Sequence, residues 1–152
     1  MAGLTSALCT SFKVELLEGD HDFNNGADAF KVALFKANAS ITGTYDATTT
    51  NYSDMTGNSD ELAAGGGYST GGFALTNVNP TSTGTTAFTD FSANASWSSA
   101  TFTTRGCLIY NTSDSNSAVA VIDFGADYSV AGGTFEIQWP AADSSNAIIR
   151  IA

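Results

Sequence analysis

Basic residues are scarce in this chain: five Lys and Arg stand against fifteen Asp and Glu, a net charge of −10 over 152 residues. Neutralising a phosphate backbone takes clustered cations. Lys13, Lys31, Lys36, Arg105 and Arg150 are too few and too scattered for that, so no nucleic-acid partner is expected, and no anionic membrane surface either. No apolar run approaches the roughly 20 residues of a membrane-crossing helix. Met1 to Leu8 has no basic residue and too short an apolar stretch for a secretory signal. Cysteine occurs only at Cys9 and Cys107, too few for a disulfide framework, which predicts two buried thiols and folding in a reducing cytoplasm. Histidine occurs once, at His21, and proline twice. A Ser–His–Asp triad would have to be built on His21, yet no Gly-x-Ser-x-Gly elbow accompanies it. One histidine and two remote cysteines give no zinc spacing. No enzymatic activity and no cofactor are expected.

Hydroxyl residues fill the gap left by charge. Twenty Thr and seventeen Ser make up about a quarter of the chain, while hydrophobic residues reach 43%. A globular core is therefore within reach, and the polar complement suits strands and loops better than helix faces. Leu4, Leu8, Phe12 and Leu16 recur every four residues and predict one helix, near Ser6 to Glu18, stopped by Gly19. A strand over Phe12 to Leu17 is the competing reading. From Phe30 the period is two: strands are predicted at Phe30–Phe35, Phe73–Val78, Thr85–Phe91, Ala95–Ser98, Ala100–Thr104, Cys107–Tyr110, Val119–Phe124, Thr134–Trp139 and Ala147–Ile151. Turn clusters separate them, including Gly125–Asp127 and Gly132–Gly133. Ile41–Asn58 reads as a long loop with one helical turn. The fold class is mainly β: a β-sandwich or jelly roll of about eight short strands, spanning 20–152, behind a helical segment over 1–19. Because a sandwich covers its own sheets, the stripe Leu4, Leu8, Phe12 and Leu16 is expected to serve an interface, and removal of residues 1–11 to leave a folded β-domain.

Candidate sites are few. Asp20, Asp22, Asn24 and Asp28 offer oxygens at calcium-loop spacing. The glycine is one place late and Lys31 stands where a bidentate Glu belongs, so a solvated acidic turn is the better reading and no metal is expected. His21, between two aspartates, is expected to be structural or solvent-exposed. The run from Gly65 to Gly72 lacks the Lys and helix of a phosphate cradle and is read as a source of backbone freedom, with Tyr68 over a sheet edge. Two aromatic clusters, Phe88, Phe91, Trp97 and Phe102, then Phe124, Tyr128, Phe135 and Trp139, lie mostly on alternating strand positions and predict core or subunit packing. A carbohydrate-binding adhesin stacking sugars on Trp97 or Trp139 is the reading from another class. Asn-x-Ser/Thr matches at Asn38, Asn51, Asn94 and Asn111 are what this composition gives by chance.

Three stretches carry a resemblance: Phe12–Phe23 with Ala29–Phe35; Gly67–Gly72 downstream of Glu61-Leu62; and Ala100–Asn111 with Asp123-Phe124-Gly125 and Gly133–Ile137. Together they resemble small β-rich virion proteins from the structural modules of tailed bacteriophages. The resemblance implies a non-enzymatic virion component, foremost a capsid decoration (cement) subunit. A tail or tail-tip part is the alternative. It implies other virion proteins as partners, the major capsid protein or tail proteins, and association with its own copies. It brings no catalytic residue. Few long charged side chains and a solubilising negative charge agree with it.

Overall fold

Period-two patterning from Phe30 onward produces a structure dominated by sheet. The structure is a computed structural model and describes residues 3–37 and 42–152. Asn38 and Ile41, named above in a sequon and a loop, lie outside the described residues, as does Met1. Ten strands and two helices are present among the described residues. In chain order they are β1 (Gly3–Leu4), β2 (Ala7–Leu8), α1 (Thr10–Glu18), β3 (Phe30–Lys36), β4 (Thr44–Tyr45), α2 (Tyr52–Gly57), β5 (Phe73–Ala74), β6 (Thr81–Thr83), β7 (Thr86–Thr89), β8 (Ala95–Asn111), β9 (Ser117–Ile137) and β10 (Ile149–Ile151). Among the described residues no helix is long and apolar enough to cross a membrane.

The expected mainly-β class is what the structure has. In its central hairpin the strands are fewer and far longer than the predicted segments. Three predicted segments fuse into the 17-residue β8, and two fuse with the turn clusters between them into the 21-residue β9. The two pair as one antiparallel hairpin from Asn111↔Ser117 to Ala95↔Ile137. The predicted breaks survive as bulges. Between Gly106↔Asp123 and Thr104↔Tyr128 the residues from Phe124 to Asp127 loop out of the ladder, where Gly125 takes positive φ, and Gly132 takes positive φ at a second shift between Thr101↔Ala131 and Ala100↔Gly133. A five-stranded sheet in the order β2-β9-β8-β3-β5 forms around this hairpin, beside a three-stranded sheet β10-β7-β6 and a two-residue parallel pair β1-β4. This strand order fits the mainly β class and does not by itself confirm a jelly roll.

β3 shows how both faces of the large sheet are covered. Val32 to Phe35 are four consecutive buried residues, where alternation alone predicted every second one. On one face Phe30 stacks on Phe23 at 4.4 Å and meets Phe91 at 6.1 Å, while Phe12 of α1 meets Phe23 edge-on at 6.0 Å. On the other, Phe35 packs on Tyr45 at 4.6 Å, and Tyr110, beside Lys31 in the ladder, stacks on Tyr52 of α2 at 4.5 Å.

The N-terminal expectation needs correction. The helix begins at Thr10, and Leu4 and Leu8 are not on it. Leu4 lies in β1 beside β4, and Leu8 lies in β2, opposite Ala120 of β9. Backbone pairing has overridden the four-residue apolar spacing. Leu4 and Phe12 are buried in the core, and Leu8 and Leu16 pack against it half-buried. The exposed apolar side chains of α1 are instead Val14 and Leu17. Residues 3–19 are thus not an appended helix, because two of their strands are hydrogen-bonded to other strands.

Candidate functional site

Three polar clusters and one groove contain the chemistry-bearing residues. The first lies at the closed end of the β8–β9 hairpin. Asn111, the last residue of β8 and fully buried, accepts from the backbone N–H groups of Ser113 and Asp114 through Oδ1, at 2.9 and 3.3 Å. Its amide nitrogen must therefore face the other way, where it donates to Asp28 Oδ2 (2.8 Å) and to His21 Nδ1 (2.9 Å). With an amide donor against Nδ1, the imidazole proton sits on Nε2 and is donated to Glu15 Oε2 at 2.9 Å. His21 is buried against Phe12 rather than lying in a solvated loop.

Glu15, His21 and Asp114 bring one potential metal-ligand atom each within 4.8 Å of one another. The network opposes that use. A cation on Nε2 would move the imidazole proton to Nδ1, into the amide hydrogens of Asn111, whose orientation two backbone donors fix. The cluster is suited to locking the 20–28 loop onto the hairpin end. Asp22 and Asp28 serve the same loop: Asp28 Oδ2 accepts from Asp22 N–H (2.9 Å), and Asp22 Oδ1 accepts from the backbone and side-chain nitrogens of Asn24 (2.9 and 2.8 Å). Asn24 turns a donor, not an oxygen, towards Asp22, and Asp20 stands exposed with its N–H on the Glu15 carbonyl. The four oxygens expected at calcium-loop spacing do not converge.

The second cluster explains the glycines. Glu61 accepts from Tyr52 (2.5 Å), Tyr68 (2.8 Å) and the Gly71 N–H (2.6 Å), and the Tyr110 hydroxyl donates to the Gly71 carbonyl. Burial first, and then the Glu61 charge, push the Tyr110 phenol up to about 12. Gly72 has φ +77°, and a Cβ there would fall inside the Val32 carbonyl. Gly66 crowds the Thr101 carbonyl in the same way and accepts from the Thr101 N–H at 2.8 Å. The loop is glycine-rich because its backbone presses on β3 and on the outer edge of β8.

The third cluster had no signal in the sequence. Asp60, with no exposed side-chain surface, accepts from Tyr45 (2.5 Å), Thr42 and Lys36 (2.9 Å). Burial would raise its carboxyl, but the hydrogen bonds from Thr42, Tyr45 and Lys36, with the Lys36 charge, outweigh it and hold it below the usual value. A depressed carboxyl stabilises the fold above the unfolded value, near 4, and that contribution disappears as pH falls through the folded value. Asp90 acts oppositely. Burial raises it despite amide hydrogen bonds from Phe91 and Ile148, so acidification relieves a cost there. Thermal melts between pH 7 and 2 should therefore show a drop in Tm that begins near pH 4, and Asp60→Asn should flatten it while lowering Tm at neutral pH. An unchanged profile would assign the acid transition elsewhere.

Both cysteines are buried free thiols. Burial first, with Glu15 adding to it, pushes the Cys9 thiol up to about 12, far from thiolate reactivity at neutral pH. The two aromatic clusters separate. Trp97 is buried and packs with Tyr68, Phe73 and Phe135. Phe91 is likewise core, while Phe102 is half-buried against it. Phe124, Tyr128, Phe135 and Trp139 instead line an open groove of about 540 Å³ along β9, with Glu136 and Gln138 beside them. Comparison with protein-family models, curated proteins and solved structures gave no match to this chain.

Proposed function

We propose that the protein is a non-enzymatic structural subunit of a tailed-phage virion, foremost a capsid decoration protein that cements the assembled shell. The observation that carries this reading is the use made of the polar side chains that are shielded from solvent. Buried His21, Asn111 and Asp60 and half-buried Glu61 hold loops to the sheet, with their hydrogen-bonding atoms directed at protein partners. Such a domain is built for rigidity. A subunit that binds only the assembled shell stabilises it by mass action, and a rigid contact surface limits the entropy lost on docking.

The stripe expected to form the contact surface is largely internal, so the apolar residues left outside take its place in the proposal. Leu17 on α1 is 88% exposed, Val14 beside it 51%, and Ile151 on the edge strand β10 58%. Leu16 joins them through a shallow depression shared with Phe88, Ile149 and Ile151. Contact with the major capsid protein, or with further copies of this chain, would cover them. Leu17→Glu should leave Tm within a degree or two, as exposed substitutions do, and reduce incorporation into particles at least tenfold. Quantitative mass spectrometry of purified virions decides placement. Hundreds of copies per particle support a shell subunit, a small multiple of three or six supports a tail or tail-tip part, and absence from particles removes both.

A further inference from the structure

The groove along β9 is lined by aromatic and apolar side chains, and nothing in the virion reading uses it. Its aromatic walls are fixed from behind. Trp139 donates its indole N–H to the Ala93 carbonyl (2.9 Å) and packs on Phe91 at 5.7 Å. Phe124 meets Tyr128 edge-on at 6.1 Å and Phe135 at 6.1 Å, and Tyr128 is 52% exposed. A polar chain runs beside them: Glu136 Oε1 accepts from Asn94 (3.1 Å) and Gln138 (3.0 Å), and Asn94 Oδ1 accepts from the Trp139 backbone N–H.

Size and charge select the occupant. A stable protein contact takes about 800 Å² from each partner, more than this groove offers alone, whereas about 540 Å³ lies within the range of pockets for small ligands. None of the chain's five cations lines it: Arg150, two residues from Ile148, donates to the Ser145 carbonyl, and Arg105 is held by Asp123 at 2.9 Å. Anionic ligands therefore have no counter-charge, and the one charge present, Glu136, would repel them. What suits fixed aromatic faces beside a carboxylate and an amide is a ring with C–H faces and a rim of uncharged hydroxyls.

We propose that the β9 groove binds a neutral saccharide, two or three pyranose units long, by stacking on Phe124, Tyr128 and Trp139 with hydroxyls directed to Glu136 and Gln138. On a particle surface such a site would give weak, multivalent attachment to uncharged cell-surface glycan, since many copies raise avidity without new contacts. The site does not depend on the placement of the protein in a virion.

The test is titration of the purified full chain with maltotriose, cellotriose and triacetylchitotriose, and a screen on an array of neutral glycans, read by ¹H–¹⁵N shifts. Saturable shifts confined to residues 122–139 and their neighbours are expected for at least one sugar. Tyr128→Ala and Phe124→Ala, each checked for an intact fold, should weaken binding at least tenfold while incorporation into particles is unchanged. No saturable binding by any neutral glycan overturns the proposal, and so does binding that survives both substitutions. Uptake of an apolar dye in the groove without any sugar response would overturn it in favour of an apolar partner. Loss of particle incorporation in Tyr128→Ala would instead make the groove an assembly contact.

Discussion

Asn111→Ala is expected to destabilise the protein by about 3–4 kcal/mol and to lower Tm by roughly 10 °C. Asn111 has no exposed surface and joins three separate pieces of chain. Its oxygen takes two amide hydrogens of the 112–116 turn, and its nitrogen serves Asp28 and His21. Alanine leaves those four partners without Asn111. The Ser113 end can take up water, which limits the loss, but the buried imidazole of His21 cannot. The turn itself uses positive φ at Ser115 and Asn116 and depends on outside support, including Asn51 Nδ2 on the Ser115 carbonyl at 2.9 Å. Asn111→Asp separates polarity from packing. It keeps an oxygen for the two turn amides and sets a second carboxylate against Asp28 and the lone pair of His21. It should be at least as damaging at pH 7 and regain stability on acidification, when the new carboxyl becomes a donor. Chemical denaturation at pH 7 and pH 4.5 checks both. A loss under about 1 kcal/mol for the alanine variant would mean that the junction is not a point of stability.

Removal of residues 1–11 is expected to cost on the order of 5 kcal/mol, enough to leave a domain of ordinary stability close to unfolding. This reverses what the apolar spacing alone implied. The lost segment carries Leu4 and Cys9, both in the core, and Leu8, which packs against it. Gly106 has no side chain where Leu4 and the Ile122 carbonyl sit. The segment also donates backbone hydrogen bonds from Gly3 to Gly43, from Thr5 to Tyr45 and from Cys9 to Val119, at 2.9 to 3.1 Å, all lost with it. β2 is moreover the strand that covers β9 at Ala120 and Val121. Its loss bares the edge of a long hairpin and invites aggregation. A cooperative melt at much lower temperature, or no melt at all, is expected by circular dichroism. A truncated domain that melts within a few degrees of the full chain would restore the view of this segment as an appended contact arm.

What could be read from residues in order was the kind of structure. Period-two patterning and hydroxyl-rich surfaces determine a sheet protein, and β3 falls on the predicted Phe30–Phe35 segment with one added residue. Gly19 ends the helix with φ +89°, as a glycine after a helix should. These are local preferences, and each residue carries its own share. The length of β8 and β9 was not legible, because Gly125 and Gly132 are turn residues by propensity and become bulges only when a partner strand continues past them. The start of α1 was illegible for the same reason: Leu4 and Leu8 fit a helical spacing, and only β4 and β9 make them strand residues. The Asn111 junction draws on residues up to 90 positions apart, and Asp60 meets Lys36 and Tyr45 across intervening chain. The sequence by itself determined class, charge and the scarcity of catalytic groups. Tertiary structure alone decided that His21 is a buried structural donor and that Trp97 is core while Trp139 lines a groove, because burial and hydrogen-bond partners are properties of neighbours in space.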